Sequence, residues 1–169
     1  MRERKFLVHY LDGAFDTTYA STNYVLLGKD LEEYSEELNP DVQTSKNILG
    51  ENSIKVAGYE PQSSVEPYYY ESEDDALSAK LMEIANTRAT GNGCKTSMVD
   101  VLYAPNADGT DGAEVWAYRE DVIVVPSSVG GDTTGVQIPF SIYKCGNRVK
   151  GTFDKKTKKF TAASAELVG

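Results

Sequence analysis

At 169 residues the chain has the size of a single domain, and 40% apolar against 25% charged residues is the balance of a globular protein rather than a disordered one. A formal net charge of −9, from 17 basic and 26 acidic residues, weighs against any function that grips nucleic acid by its phosphates. No window approaches the 18 or so uninterrupted apolar residues of a membrane span. The basic start "MRERKFLVHY" is followed by an apolar run of only Phe6 to Val8, too short for a secretory signal. The chain is therefore expected to be made and kept in a cytoplasm, without membrane contact.

In chain order, "KFLVHY" (5–10) and "NYVLL" (23–27) read as short strands around a polar connection with a turn signal at Asp12-Gly13. "DLEEYSEEL" (30–38) suits a helix by Leu31, Tyr34 and Leu38, and a strand by its place between Gly28 and Asn39-Pro40; a strand is preferred. "SIKVAGYEP" and "SSVEPYYYE" are strand-like, with Tyr68, Tyr69 and Tyr70 favouring a pleated surface. A helix is predicted over 72–89, capped by Ser72, with Leu77, Leu81, Ile84 and Ala85 on one stripe and the glycines of "TGNG" closing it. Beyond it everything reads as β: 94–104, 113–129, 134–146, "RVKGTFD" and "KFTAAS". The expected fold is mainly β, a sandwich or barrel of one domain over 1–169, with one flanking helix and a long extended arm over about 39–62.

Signals for chemistry are sparse. His9 is the only histidine and sits in an apolar strand pattern, so a metal cluster or a nucleophile–base triad lacks its base; a strand histidine satisfied by its neighbours is expected instead. Cys94 and Cys145 fit no zinc or redox spacing and read as structural thiols. "NADGTDG" (106–112) has Asp111 and Ala117 where a calcium loop needs Gly and Glu, and reads as a hairpin turn. No cofactor fingerprint is present. The carboxylates of "LEEYSEEL" read as a solvated acidic face rather than a glycosidase pair, and the run Tyr68–Tyr70 leaves a sugar-binding sandwich open as an alternative. An enzyme is not expected.

The arm is the segment without a place in a core. Two extended legs of about twelve residues would reach close to 40 Å, against a radius of gyration of about 15 Å for the domain. Val42, Ile48, Leu49, Ile54, Val56 and Tyr59 are scattered along it, and in "SIKVAGY" they alternate with polar residues. A lone hairpin is unstable in water, so such an arm lies on its own body or orders against another subunit.

Leu38, Asn39, Pro40, Thr44, Ile48, Gly50, Tyr59, Pro61 and Gln62, followed by an acidic helix start and the closing "GTFDKKTKKFTA", make the chain resemble the major tail proteins, or tail tube proteins, of long-tailed bacteriophages and prophages. The resemblance implies a structural subunit of hexameric rings that stack head to tail into a DNA-conducting tube in the virion tail. Its other partners would be tape-measure, terminator and distal tail proteins, with transient, non-specific passage of DNA. The inter-subunit arm would use Asn39, Pro40, Val42, Ile48, Leu49, Ile54, Val56 and Tyr59, and it is expected to be mobile in the free subunit. Glu33, Glu37 and Glu66 are the acidic residues expected to face the lumen. The inner tube of a contractile device, a tailocin or secretion apparatus, shares this expected fold and is not separable from it by sequence.

Overall fold

The computed structural model describes residues 1–163; the predicted last strand ends at Ser164, which with 165–169 lies outside the described residues. The described residues are mainly β, with one α-helix and a curled antiparallel sheet that forms a half-barrel. Strands β1 (Leu7–Asp12), β2 (Tyr24–Leu27), β5 (Gln62–Val65), β6 (Lys95–Pro105), β7 (Asp111–Pro126), β10 (Phe140–Lys144), β11 (Val149–Asp154) and β12 (Lys159–Ala162) make one eight-stranded sheet. Two hairpins stand outside it: β3 (Pro40–Lys46) with β4 (Asn52–Tyr59), and β8 (Gly130–Asp132) with β9 (Gly135–Gln137). Among the described residues no helix is long and apolar enough to cross a membrane.

The path β12-β11-β7-β6-β1-β2 turns on β7, whose 16 residues pair with β6 along one edge. Its other edge is divided: Ala117 to Arg119 hold β11, and Val122 to Pro126 hold β10, which carries β5. One strand thus serves two sheets' worth of neighbours, and the sheet splits and curls there.

Both faces of β6 are buried as a result. Met98 points toward α1 (Ala76–Thr87) with Leu11, Leu27, Val122 and Val124, and Leu77 and Leu81 of the helix complete that core. Val99, Val101 and Tyr103 point the other way, into Tyr10, Tyr24, Phe153 and Phe160, because β11 and β12 fold over that face. Gly151 permits the fold-over: a Cβ there would lie 2.2 Å from the Thr161 carbonyl oxygen and 2.5 Å from the Phe160 ring.

The expected elements shift in several places, and the stretch 134–146 is two strands, β9 and β10, parted at Ile138-Pro139. The helix starts four residues later than predicted, because Asp75 caps it, taking hydrogen bonds from the Ser78 amide (3.4 Å) and hydroxyl (2.7 Å). Ser72 instead accepts from the Asp74 amide in the preceding turn, and Arg88, at φ 54°, closes the helix ahead of the glycines. The stretch 30–38 is neither strand nor helix: its one ladder contact is an antiparallel bridge from Glu37 to Gln62. Tyr34 there turns into the core and shares a hydrogen bond of 2.7 Å with Ser63, so its side chain, rather than a ladder, places the segment. Finally, β5 ends at Val65, and Tyr68 to Tyr70 follow outside any regular strand.

Candidate assembly surfaces

The predicted arm residues assemble into a hairpin. Cross-strand pairs Val42↔Val56 and Thr44↔Ile54 set one face, and Gln43↔Lys55 and Ser45↔Ser53 the other. A bulge beside Asp41/Val42 inserts one extra residue in β4, so that Tyr59, paired with Pro40, returns to the face of Val56. The hairpin is therefore two-sided, with Pro40, Val42, Ile54, Val56 and Tyr59 on one side and Asp41, Gln43, Ser45 and Lys55 on the other. Ser45 and Ser53 hydrogen-bond across the polar side at 2.7 Å.

Ile48 and Leu49 form the tip, where the Asn47 side-chain oxygen accepts from the amides of Leu49 (2.9 Å) and Glu51 (3.0 Å). Asn39 is at the root, in the left-handed region at φ 44° that asparagine tolerates, and its amide donates to the Glu60 carbonyl at 3.1 Å. Every residue of β3 is exposed, as is β4 but for the half-buried Gly58. Among the described residues the arm thus packs on no part of the body. Its paired strands of seven and eight residues span about 25 Å at about 3.3 Å per residue, shorter than the reach expected from the sequence. Full burial of large aliphatic side chains such as its Val, Ile and Leu is worth about 1.5–3 kcal/mol each, and here that gain is unrealised.

The segment that carries the arm is clamped by an ionic cluster that sequence reading missed. Asp100, 3% exposed, accepts from His9 Nδ1 at 2.6 Å and Lys144 Nζ at 2.7 Å, with Arg148 at 3.3 Å. Lys144 also reaches Glu36 at 3.4 Å, and Arg148 reaches Glu120 at 3.5 Å. Arg4 donates to His9 Nε2 (3.1 Å) and to the Tyr34 carbonyl (3.2 Å). Since guanidinium cannot accept, Nε2 holds the lone pair and Nδ1 the hydrogen given to Asp100. His9 is thus the satisfied strand histidine expected. Burial pushes the Asp100 carboxyl up, but the His9 hydrogen bond and the Lys144 charge outweigh it and hold the group well below the usual carboxylate range. The available signal was a charge inside an apolar run, "SMVDVLYA" for Asp100 and "WAYREDVIVV" for Glu120.

Glu33, Glu37 and Glu66, which the sequence scatters, are brought to one groove, whose floor is Ser64, Ser141 and Tyr143 on the outer face of β5 and β10. All three are exposed. The irregular course of 30–38, not a strand alternation, puts Glu33 and Glu37 on that side. Of the tyrosine run, Tyr68 is half-buried and packs edge-on against Phe140 at 5.2 Å beside the core, and the Tyr69 backbone bridges to Gln137. Both cysteines are free, and only Cys94 is buried, its thiol donating to the Ala89 carbonyl at 3.2 Å. Cys145 is exposed, so the expectation of a structural thiol fails there: it follows the end of β10 instead of facing a core.

The sequence matches no protein-family model and no curated protein. Among solved structures, the chain is similar to the tube-terminating cap of the anti-feeding prophage, with a TM-score of 0.51 at 12% identity over 90% of this chain and 91% of that one. Its fold is shared with a component of a prophage tube. A chain of the sheath–tube complex of the PVC extracellular contractile injection system, in its extended state, gives a TM-score of 0.49 at 10% identity over 89% and 90%. At 12% identity the likeness to the cap is one of fold.

Proposed function

We propose that the chain is a structural, non-enzymatic subunit of a phage tail tube, in which rings of six copies stack head to tail around an acidic lumen that conducts DNA during ejection. The observation that carries this reading is the arm, a two-sided hairpin whose apolar face stays exposed among the described residues. A hairpin of that kind needs a partner to be stable. The sheet supports the same reading, since among the described residues β2 and β12 each pair on one side only, leaving edges that neighbouring copies could take. With −9 per copy, a ring of six carries on the order of fifty negative charges, and a wall of that sign offers DNA no lasting phosphate contacts. By family resemblance, the tape-measure, terminator and distal tail proteins would be its partners. The subunit would be made in the host cytoplasm and end in the virion tail.

Negative-stain microscopy of the concentrated purified protein tests this. Filaments with a central hole are expected; single particles at every concentration overturn the reading. The inner tube or cap of a contractile device is the second reading, favoured by the fold likeness to a tube-terminating cap. Rings that never stack support a cap, and a sheath gene adjoining this one supports a contractile tube.

A further inference from the structure

The ladder between β1 and β2 runs from Asp12↔Tyr24 to His9↔Leu27 and stops, because Gly28, at φ 122°, turns the chain away. Among the described residues Leu7 and Val8 are left with a strand neighbour on the β6 side only. The slot beside them opens into a groove of about 480 Å³, floored by Leu7, Val8, Leu26, Leu27 and Leu31. Leu26 is 53% exposed within it. The rim carries both signs, Arg4, Lys5 and Lys29 with Glu32 and Glu33.

The tip of the arm has the matching chemistry. Ile48 and Leu49 are 102% and 77% exposed, beyond any other large apolar side chain of the described residues except Met1. Their turn is pre-set by the two amide hydrogen bonds to Asn47, so presenting them costs little further ordering. Lys46 and Glu51 flank the tip, one charge of each sign, and neither joins an ion pair among the described residues. The arm of the same chain is exposed but for the half-buried Gly58, and none of its residues lines this groove.

We propose that the groove beside Leu7 and Val8 receives Ile48 and Leu49 of a second copy of this chain. Two copies of net charge −9 repel, so contact must be made where opposite charges meet, and the mixed rim against Lys46 and Glu51 supplies such a place. Tip and groove are different parts of one molecule, which makes the contact heterologous: it closes into a ring or grows without end. The inference deepens the tube reading by naming the docking site, and rests on it for the ring.

The test uses Ile48→Cys with Leu26→Cys in a Cys145→Ser background, oxidised at assembling concentration and run on a denaturing gel, beside electron microscopy of the same sample. A ladder of covalent multimers is expected from the double variant, and no ladder from either cysteine alone. Leu49→Asp, at an exposed position that leaves the fold intact, is expected to raise the concentration needed for assembly by roughly tenfold or more. Rings or filaments without a ladder, and with Leu49→Asp assembling normally, overturn the docking site while the tube reading stands. A ladder that stops at a closed dimer supports the docking site and overturns the tube. Single particles with neither ladder nor rings overturn both.

Discussion

Asp100 keeps its charge in the interior because β1, β10 and the loop after β10 each bring it a donor: His9, Lys144 and Arg148. A buried pair that loses one partner leaves the other uncompensated, at a cost of about 3–5 kcal/mol. Asp100→Asn is therefore expected to lower stability by about that much in urea unfolding at neutral pH. The folded carboxyl lies below its unfolded value of about 3.9, so its contribution is complete above that value and fades as pH falls toward the lowered native one. The gap between variant and parent should narrow on acidification below about pH 4; a gap constant with pH would show that Asp100 does not act through its charge. Gly151 answers to a different force, close approach of backbone. Since the atom a methyl would meet is the Thr161 carbonyl, which has no rotamer to yield, Gly151→Ala is expected to cost about 1–3 kcal/mol in the same measurement.

At the scale of elements, the arm and the sheet differ in what supports their hydrogen bonds. Most of β6 and the middle of β7 are buried on both faces, whereas β3 and β4 are exposed on both but for the half-buried Gly58. Opening the arm exposes little further apolar surface, so it belongs to the low-stability end of the molecule. In the free subunit, amides of 40–46 and 52–59 are expected to exchange well ahead of those of β6 and β7, and to gain protection on assembly. Equal protection in the monomer would mean that the hairpin needs no partner. The apolar stripe Leu77, Leu81, Ile84 was legible because three side chains at helical spacing need only one surface to face. The bounds of that helix were less so: Ser72 and Asp75 are both competent caps, and which one serves depends on where the chain arrives from Tyr70. "LEEYSEEL" failed for the same kind of reason. Its local pattern fits two periods, and the decision fell to the pull of Tyr34 toward Ser63 and of Glu36 toward Lys144, residues far along the chain.

For the whole molecule, charge and shape act together. Glu33, Glu37 and Glu66 meet at one groove, and in the tube reading that groove faces the DNA. Because Glu33 also lines the groove beside Leu7 and Val8, the cleaner change is reversal of Glu37 and Glu66 to Lys, expected to leave subunit stability within about 0.5 kcal/mol, as for exposed positions, while slowing genome ejection from virions that still form tails. Ejection at the parental rate would remove these residues from the lumen.

Composition and short-range pattern alone determined that this is a mainly β chain with one helix, an acidic surface and a polar arm bearing one apolar side. Those are properties of side-chain period and turn chemistry, which act over a few residues. What the tertiary structure decided is everything that needs distant segments to meet: the curl that covers both faces of β6, the clamp of Asp100 with His9, Lys144 and Arg148, and the gathering of three glutamates at one groove. The groove beside Leu7 and Val8 likewise exists only because β2 leaves β1 at Gly28. Burial and ion pairing are set by neighbours in space, and a linear sequence of 169 residues states which groups are available without stating which will touch.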